Sequence, residues 1–217
     1  MSDQPNNIAD IRKDYMLASL EEDSVGDEPL SFFRKWFGEA EAAQITEINA
    51  MTLATVDANH APHARIVLLK GLDDQGFVFF TNYDSAKGVE IRSNAHAALV
   101  FFWKELERQV RIEGKIEKVS PEESDNYFHS RPAGSRLGAW ASPQSQKIEH
   151  RNIIDLNYAK YEKEFSEIGI PRPAHWGGYR VIPTHIEFWQ GRSSRMHDRI
   201  LFTLNEAGTW IRSRLAP

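Results

Sequence analysis

The chain has no cysteine among its 217 residues, which excludes disulfide bonds, thiolate metal sites and a cysteine nucleophile. Long apolar runs are also missing, and the longest one, residues 97–103, is far too short to cross a bilayer. The first residues lack a basic segment followed by an apolar one, so we expect no signal peptide. These absences predict a cytoplasmic protein with no membrane partner.

Common nucleotide-binding and catalytic motifs are absent as well. No Gly-x-Gly-x-x-Gly sequence and no Walker-type loop follows a predicted strand, which argues against a Rossmann site and a P-loop NTPase. No Gly-x-Ser-x-Gly elbow is present. His60 and His63 have the spacing of metal ligands, but no acidic third ligand is near them, so we expect no metal site. The net charge of −5 argues against a nucleic-acid partner.

Hydrophobic periodicity predicts one helix followed by many short strands. The first helix is expected from about Leu30, capped by Asp27, with Phe33, Phe37 and Ala40 on one face. Strands are expected at residues 51–56, 64–70, 77–81, 95–103, 107–118, 179–182, 185–190, 200–204 and 209–211. Further helices are expected at residues 85–93, 120–130, 135–141 and 148–165, and Ser120 provides a helix cap.

This order of elements indicates an α+β protein. Residues 1–25 are polar and acidic and predict a flexible N-terminal arm. Residues 26–217 predict a single domain, in which an antiparallel meander closes into a small barrel or sandwich. A helical insert at about residues 120–168 is expected to cover one side of it.

The densest group of functional side chains lies at residues 186–199. A strand ends at Gly191, and the next eight residues carry Arg192, Arg195, His197 and Arg199. Arginine binds phosphate bidentately and stacks on conjugated rings, so the cluster suits a planar anion. A solvated turn explains the same charges, and this stretch alone does not decide between the two. Asp198 is expected to point away from the imidazole beside it.

Other basic and hydroxyl side chains are spread along the chain. Arg65 and Lys70 are expected on opposite faces of a strand unless a bulge intervenes. Lys87 follows a strand at the start of a short helix, where phosphate could be held. The group of Tyr127, Arg131 and Ser135 suits a phosphate monoester. Each set also fits an ordinary surface, but together they predict two phosphate sites separated by aromatic surface.

Several motifs in this sequence belong together in one known family. They are Arg65-Ile-Val-Leu-Leu-Lys70, Phe80-Thr-Asn82, Leu106-Glu-Arg-Gln-Val110, Tyr127-Phe-His-Ser-Arg-Pro132, Gly138-Ala-Trp140, Trp176-Gly-Gly178, Glu187-Phe-Trp-Gln-Gly191, Arg195-Met-His-Asp-Arg199 and Arg214-Leu-Ala-Pro217. In these motifs the chain strongly resembles the pyridoxine (pyridoxamine) 5′-phosphate oxidase family, over essentially its whole length.

The resemblance implies an antiparallel, Greek-key-like, FMN-binding split β-barrel with flanking helices, in a homodimer with FMN at the subunit interface. The implied cofactor contacts are Arg65, Ile66, Val67, Leu68, Leu69, Lys70, Phe80, Thr81, Lys87, Gln109, Gln144, Ser145, Trp189 and Arg199. The implied substrate contacts are Lys70, Tyr127, Arg131, Ser135, Arg195, His197, Arg12 and Tyr15. Ala86 stands where the family often has a basic residue, which puts one contact to the FMN phosphate in question.

The implied activity is oxidation of pyridoxamine and pyridoxine 5′-phosphates to pyridoxal 5′-phosphate. Dioxygen accepts the electrons, hydrogen peroxide forms, and the amine also releases ammonia. Arg195 and His197 are the implied catalytic pair over the pyridine ring, and His197 is either a proton acceptor or a positioning contact. Two alternatives stay open: a flavin reductase that uses NAD(P)H, and a non-catalytic carrier of FMN or pyridoxal phosphate.

Overall fold

The computed structural model describes residues 7–217. The helices are α1 (Glu22–Val25), α2 (Pro29–Ala42), α3 (Ala86–Ser93), α4 (Pro121–Ser130), α5 (Ala133–Ala141) and α6 (Asn152–Glu164). The strands are β1 (Ala50–Val56), β2 (Pro62–Leu68), β3 (Gly71–Leu72), β4 (Phe77–Asn82), β5 (His96–Trp103), β6 (Arg108–Lys118), β7 (Trp176–Gln190), β8 (Asp198–Leu204) and β9 (Trp210–Arg214).

The chain divides into two compact units. The first consists of Met1–Ile48, described from residue 7, together with Phe101–Arg111 and His185–Pro217. The second consists of Asn49–Val100 and Ile112–Thr184. Strands β5, β6 and β7 contribute residues to both units.

An antiparallel sheet with helices makes up the second unit. Its strands follow the order β2-β1-β5-β6-β7-β4-β3. Strand β1 pairs antiparallel with β2 over seven residues, from Ala50 opposite Leu68 to Val56 opposite Pro62. The predicted α+β class with antiparallel strands is confirmed.

Strand β7 is one continuous strand, so the prediction of two strands separated near Pro183 is wrong. Residues up to Val181 pair with β4, and pairing with β8 begins at His185. Pro183 therefore lies between the two ladders, and its missing N–H group interrupts neither of them.

Aromatic packing defines the core of the first unit. Helix α2 buries Phe32, Phe33 and Trp36. The Phe32 ring lies 4.7 Å from Phe188, and the Phe33 ring lies 5.0 Å from Phe101, both in edge-to-face contact. Each such side chain contributes about 1.5–3 kcal/mol through its burial.

The predicted cap of helix α2 is wrong. Pro29 occupies the first turn as expected, but the N-cap is Glu28, which makes no side-chain cap hydrogen bond. Asp27 lies one residue too early, because a capping side chain must accept from the N–H groups of the first turn.

The helical insert contains α4, α5 and α6, all in the second unit. Ser120 caps α4 as predicted, since its hydroxyl accepts a hydrogen bond of 3.0 Å from the N–H of Glu123. Trp140 of α5 packs against Tyr161 and Phe165 at ring distances of 5.3 and 5.1 Å. Within residues 7–217, no helix is long and apolar enough to span a membrane.

Candidate active site

A cavity of about 520 Å³ opens in the second unit. Strand β2 and the turn after it form one wall, and β4, α3, α4 and α5 contribute the others. The lining residues are Arg65, Ile66, Val67, Leu68, Lys70, Phe80, Thr81, Asn82, Lys87, Tyr127, Arg131, Ser135, Gly138, Ala139, Ser142, Gln144 and Trp176.

The lining of this cavity carries four cationic side chains and no carboxylate within the described chain. The cations are Arg65, Lys70, Lys87 and Arg131. Nη1 of Arg131 is buried and has no hydrogen-bond partner among residues 7–217. A buried donor without a partner costs free energy, and an anion in the cavity would remove that cost. The charge of the lining therefore favours an anionic ligand.

Arg65 is held from behind by two buried side chains. Its Nη2 donates a 2.7 Å hydrogen bond to Glu90, and its Nη1 donates to the hydroxyl of Thr55, which donates in turn to Glu90. Burial raises the pKa of Glu90, but the hydrogen bonds from Thr55 and Arg65 outweigh it and hold the pKa below its usual value. Glu90 stays ionised and fixes the guanidinium at the cavity wall.

Lys87 is a buried cation at the start of α3. Only 8% of the residue is exposed, and its Nζ donates a 3.3 Å hydrogen bond to the Ser85 hydroxyl. Burial lowers its pKa, repulsion from Arg65 lowers it further, and Glu90 opposes both effects. One carboxylate thus faces two cations, and the excess positive charge suits a phosphate.

An aromatic stack forms another part of the lining. The Phe80 and Tyr127 rings lie 3.9 Å apart at an interplanar angle of 21°, and Trp176 is stacked 5.6 Å from Phe80. The Arg131 guanidinium lies 4.6 Å from the centre of the Trp176 ring. Burial raises the pKa of Tyr127, so its hydroxyl keeps its proton and remains a donor. Aromatic faces beside donors suit a planar anion.

The path of the backbone brings both Arg65 and Lys70 to this cavity. Strand β2 ends at Leu68, and the N–H of Lys70 donates a 2.8 Å hydrogen bond to the carbonyl of Val78. Alternation along one strand therefore does not apply to Arg65 and Lys70, and both line the cavity without a bulge.

Two predicted cofactor residues of this unit do not line the cavity. Leu69 is buried, with 7% of the residue exposed, and Ser145 is exposed on the loop after α5. Gln144 does line it, and the Thr81 hydroxyl donates to its side-chain oxygen at 3.3 Å. The support that Glu90 gives to Arg65 was not predicted from the sequence, although the spacing of three residues between Lys87 and Glu90 on one helix was a usable signal.

A second cavity, of about 560 Å³, lies within the first unit. Its lining includes the predicted substrate residues Arg12, Tyr15, Arg195 and His197, together with Ile11, Lys13, Asp14, Arg192 and Ser194. Residues distant in sequence thus meet at one place.

The imidazole of His197 is fixed by its neighbours. Its ring centre lies 4.6 Å from Trp189 and 6.1 Å from Tyr15. Nδ1 accepts a 3.1 Å hydrogen bond from the backbone N–H of Arg192, so the proton of the neutral ring is on Nε2. The carboxylate of Asp198 instead accepts a hydrogen bond from the Arg192 side chain. This agrees with the expectation that Asp198 points away from His197.

Arg195 lies on a strained turn. Ser194 and Arg195 both have positive φ angles, of 55° and 61°. Such backbone costs of the order of 1 kcal/mol per non-glycine residue and persists only where surrounding contacts enforce it. The N–H of Ser194 donates to the Asp14 carboxylate at 3.2 Å, and the N–H of Met196 donates to the Ser193 carbonyl at 3.0 Å.

Three further predicted cofactor residues, Gln109, Trp189 and Arg199, belong to the first unit and do not line the cavity of the second. Arg199 makes a bidentate pair with Glu187, with distances of 2.8 and 3.1 Å. The hydrogen bond to Glu187 raises the pKa of Arg199.

Fold and lining together define a protein of the split-barrel class, with an antiparallel sheet, flanking helices and a cationic cavity. The structure of PhzG from Burkholderia lata, in complex with tetrahydrophenazine-1-carboxylic acid, matches with a TM-score of 0.87 and 26% identity. The match covers 94% of this chain and all of PhzG. A pyridoxamine 5′-phosphate oxidase-related, FMN binding protein from Nostoc punctiforme shares the fold, with a TM-score of 0.68, 18% identity and coverage of 85% of this chain and 97% of that one.

Sequence comparison identifies the family. Residues 37–164 match the model described as pyridoxamine 5′-phosphate oxidase, and residues 176–217 match the pyridoxine 5′-phosphate oxidase C-terminal dimerisation region. The pyridoxine/pyridoxamine 5′-phosphate oxidase of Cupriavidus necator is 56% identical over 97% of this chain and 99% of that protein. The enzyme of the same name from a Nostoc species is 58% identical over 97% of this chain and 98% of its own length. The chain belongs to the pyridoxine/pyridoxamine 5′-phosphate oxidase family and is an oxidoreductase.

Proposed function

We propose that the protein oxidises pyridoxamine 5′-phosphate and pyridoxine 5′-phosphate to pyridoxal 5′-phosphate in vitamin B6 metabolism, with FMN as cofactor. Dioxygen is the electron acceptor and hydrogen peroxide the product, and the amine substrate also releases ammonia. The observation that carries the proposal is the cavity with four cations, no carboxylate in its described lining and an aromatic wall. The names of relatives at 54–58% identity support the substrates.

The residues of the cavity fit FMN. Arg65 and Lys87 provide two cations for its phosphate, and the carboxylate of Glu90 keeps Arg65 in place. Both cations remain although Ala86 provides none. The side chains of Thr81 and Gln144 lie in the same lining as polar partners for a ring system. When bound, FMN supplies the two-electron acceptor for the hydride that leaves the substrate.

A second set of donors in the same cavity suits the phosphate of the substrate. Arg131 provides a guanidinium whose buried Nη1 has no partner within residues 7–217, and Tyr127 provides a phenol that stays protonated. Lys70 and Ser135 complete the set. Two anion clamps in one lining fix the positions of two phosphorylated molecules, which lowers the entropic cost of bringing their rings together.

The residues of the first unit take the remaining roles. Arg195 and His197 contact the pyridine ring of the substrate, and Arg12 and Tyr15 close over it. With Nδ1 accepting from the Arg192 backbone, the Nε2 position of His197 is the one that exchanges a hydrogen bond with substrate. The predicted cofactor residues that do not line the large cavity complete the cofactor site in a homodimer that binds FMN at its interface. They are Gln109, Trp189 and Arg199 of the first unit and Leu69 and Ser145 of the second. The match of residues 176–217 to a dimerisation region supports that assembly.

Spectroscopy and product analysis of the purified protein test this proposal. We expect a yellow protein with a flavin spectrum that releases FMN on denaturation. Pyridoxamine 5′-phosphate should yield pyridoxal 5′-phosphate, hydrogen peroxide and ammonia in equal amounts, and pyridoxine 5′-phosphate should yield the first two. A colourless protein that gains no activity with added FMN would refute the proposal. Bleaching of the flavin by NADH without B6 oxidation would identify a flavin reductase, and stoichiometric binding without turnover would identify a carrier.

A further inference from the structure

Glu107 is a buried acid outside the sites described so far. Only 2% of the residue is exposed, and it follows a short 3-10 turn, Lys104–Leu106, with a positive φ of 55°. Its carbonyl accepts a 2.7 Å hydrogen bond from the N–H of Gly191, so its backbone is tied to the start of the loop that carries Arg195. The position is therefore rigid and close to the cavity of the first unit.

The carboxylate of Glu107 binds the N-terminal segment at three points. One oxygen accepts backbone hydrogen bonds from Met16 at 2.9 Å and Leu17 at 3.1 Å. The other lies 3.2 Å from the ammonium group of Lys13. Burial raises the pKa of Glu107, but these three partners outweigh it and leave the pKa below its usual value. A buried carboxylate that is so fully hydrogen-bonded stays ionised.

The apolar side chains of Met16 and Leu17 contribute little burial to the position of this segment. The side chains of Met16 and Leu17 are 75% and 62% exposed. Their backbone N–H groups bind the rest of the unit through the carboxylate of Glu107. The carboxylate of Glu107 is therefore one anchor of residues 13–17, beside the hydrogen bond from Ser194 to Asp14 and the packing of the Tyr15 ring on Trp189.

Tyr15 is the side chain that this path puts in place. Its ring lies against Gly191, where an added Cβ would be only 2.7 Å from two ring carbons. Its ring centre lies 5.8 Å from Trp189, in edge-to-face contact. Glycine at position 191 and the carboxylate at position 107 thus act together, one by leaving space for the ring and the other by holding the chain.

We infer that Glu107 is a positioning residue for the substrate site. Its carboxylate holds residues 13–17 so that Arg12 and Tyr15 complete the cavity that Arg195 and His197 line. The functional part of this inference rests on the proposed oxidase activity. The anchoring itself does not, because it is a matter of hydrogen bonds within the first unit.

Amide hydrogen exchange tests the anchoring without any substrate. In Glu107→Ala the amides of Met16 and Leu17 should exchange at least about tenfold faster than in the unaltered protein, the factor that corresponds to a loss of 1.4 kcal/mol. Trypsin should cleave after Lys13 correspondingly faster. Glu105→Ala is the matched control, since Glu105 lies on the same turn, is exposed and forms an ion pair with Lys104 at 3.7 Å. Unchanged exchange in a folded Glu107→Ala variant would overturn the inference.

Kinetics test the positioning role. In Glu107→Ala the KM for pyridoxamine 5′-phosphate should rise about tenfold, while the Kd of FMN changes less than threefold. Glu107→Gln keeps one acceptor oxygen and should recover most of the loss. Gly191→Ala should raise KM in the same way with Glu107 intact, because its added Cβ would displace the Tyr15 ring. If Glu107→Ala does not fold, Glu107→Gln decides the question, since it keeps the shape of the side chain: exchange at Met16 and Leu17 as slow as in the unaltered protein and an unchanged KM support the anchor through the remaining oxygen, and faster exchange with an unchanged KM would overturn the positioning role. Equal losses in KM, FMN binding and thermal stability would show a merely structural role. If the unaltered protein oxidises no B6 vitamer, the proposed function fails, while the exchange experiment still judges the anchor.

Discussion

Replacement of Arg131 by methionine separates substrate binding from folding. The guanidinium of Arg131 lies on the Trp176 ring and has a buried Nη1 without a partner in the described chain. Methionine keeps much of the packing against that ring but removes the charge and the donors. We expect Arg131→Met to weaken binding of phosphorylated substrates strongly while the free energy of unfolding stays within about 1 kcal/mol or rises.

The magnitude follows from the hydrogen bonds that a phosphate would make. Each charge-assisted hydrogen bond contributes about 1.5–3 kcal/mol, and a guanidinium bound bidentately makes two. A loss of about 3 kcal/mol corresponds to roughly a hundredfold increase in KM at 1.4 kcal/mol per tenfold. Burial already lowers the pKa of Arg131, which shows that its charge is poorly solvated without an anion. Removal of this charge is therefore not expected to lower the free energy of unfolding.

The assay compares pyridoxamine 5′-phosphate with pyridoxamine as substrates of the same variant. KM should rise only for the phosphorylated compound, so the selectivity between the two should fall about a hundredfold. Arg136→Met is the matched control, because Arg136 also has a buried nitrogen without a partner in residues 7–217 but does not line the cavity. Equal losses for both substrates, or the same loss in Arg136→Met, would refute the assignment of Arg131 to phosphate.

Four further substitutions test other parts of the structure. Arg195→Leu should lower turnover far more than FMN binding, measured by stopped-flow kinetics and flavin fluorescence, and equal losses would contradict its place over the substrate. Glu90→Gln should lower the free energy of unfolding by about 1–3 kcal/mol at neutral pH, through its pair with Arg65. The folded pKa of Glu90 lies below 4.5, so the difference in stability should be complete above pH 4.5 and shrink as the pH falls through the folded pKa. Urea unfolding at a series of pH values measures it. A difference that stays constant in acid would contradict the prediction. Gly88→Ala should lower the free energy of unfolding by more than about 2 kcal/mol, since its Cβ would lie 2.1 Å from a backbone oxygen. Gly38→Ala, whose Cβ would meet no atom of the described chain within 4 Å, should instead stabilise helix α2 by about 0.5–1 kcal/mol. Thermal unfolding measures both.

Local sequence patterns determined the elements well where the signal was itself local. Ser120 caps α4 because a hydroxyl three residues before an N–H group needs no distant partner. The strand β7 was harder, because Pro183 is a local signal for a break. Only the pairing of its two halves with different strands shows why the chain continues through it.

The candidate site shows the same division between what local sequence signals predict and what only the tertiary structure shows. Arg65, Lys87, Tyr127 and Arg131 led to the prediction of phosphate binding, and the sequence motifs related the chain to a family. Arg65 and Lys70 line one cavity only because strand β2 ends at Leu68, between them. No periodicity along a single strand contains that information.

What the sequence by itself determined is the inventory of functional groups: an arginine-rich C-terminal segment, no thiol, and motifs that carry the family's chemistry. Only the tertiary structure decided which carboxylate accepts hydrogen bonds from which side chain or backbone N–H group. Glu90 supports Arg65 from 25 positions away, and Glu107 holds Met16 across 91 positions. Hydrogen bonds act over about 3 Å in space and are indifferent to separation along the chain, so these partnerships exist only once the fold has brought the residues together.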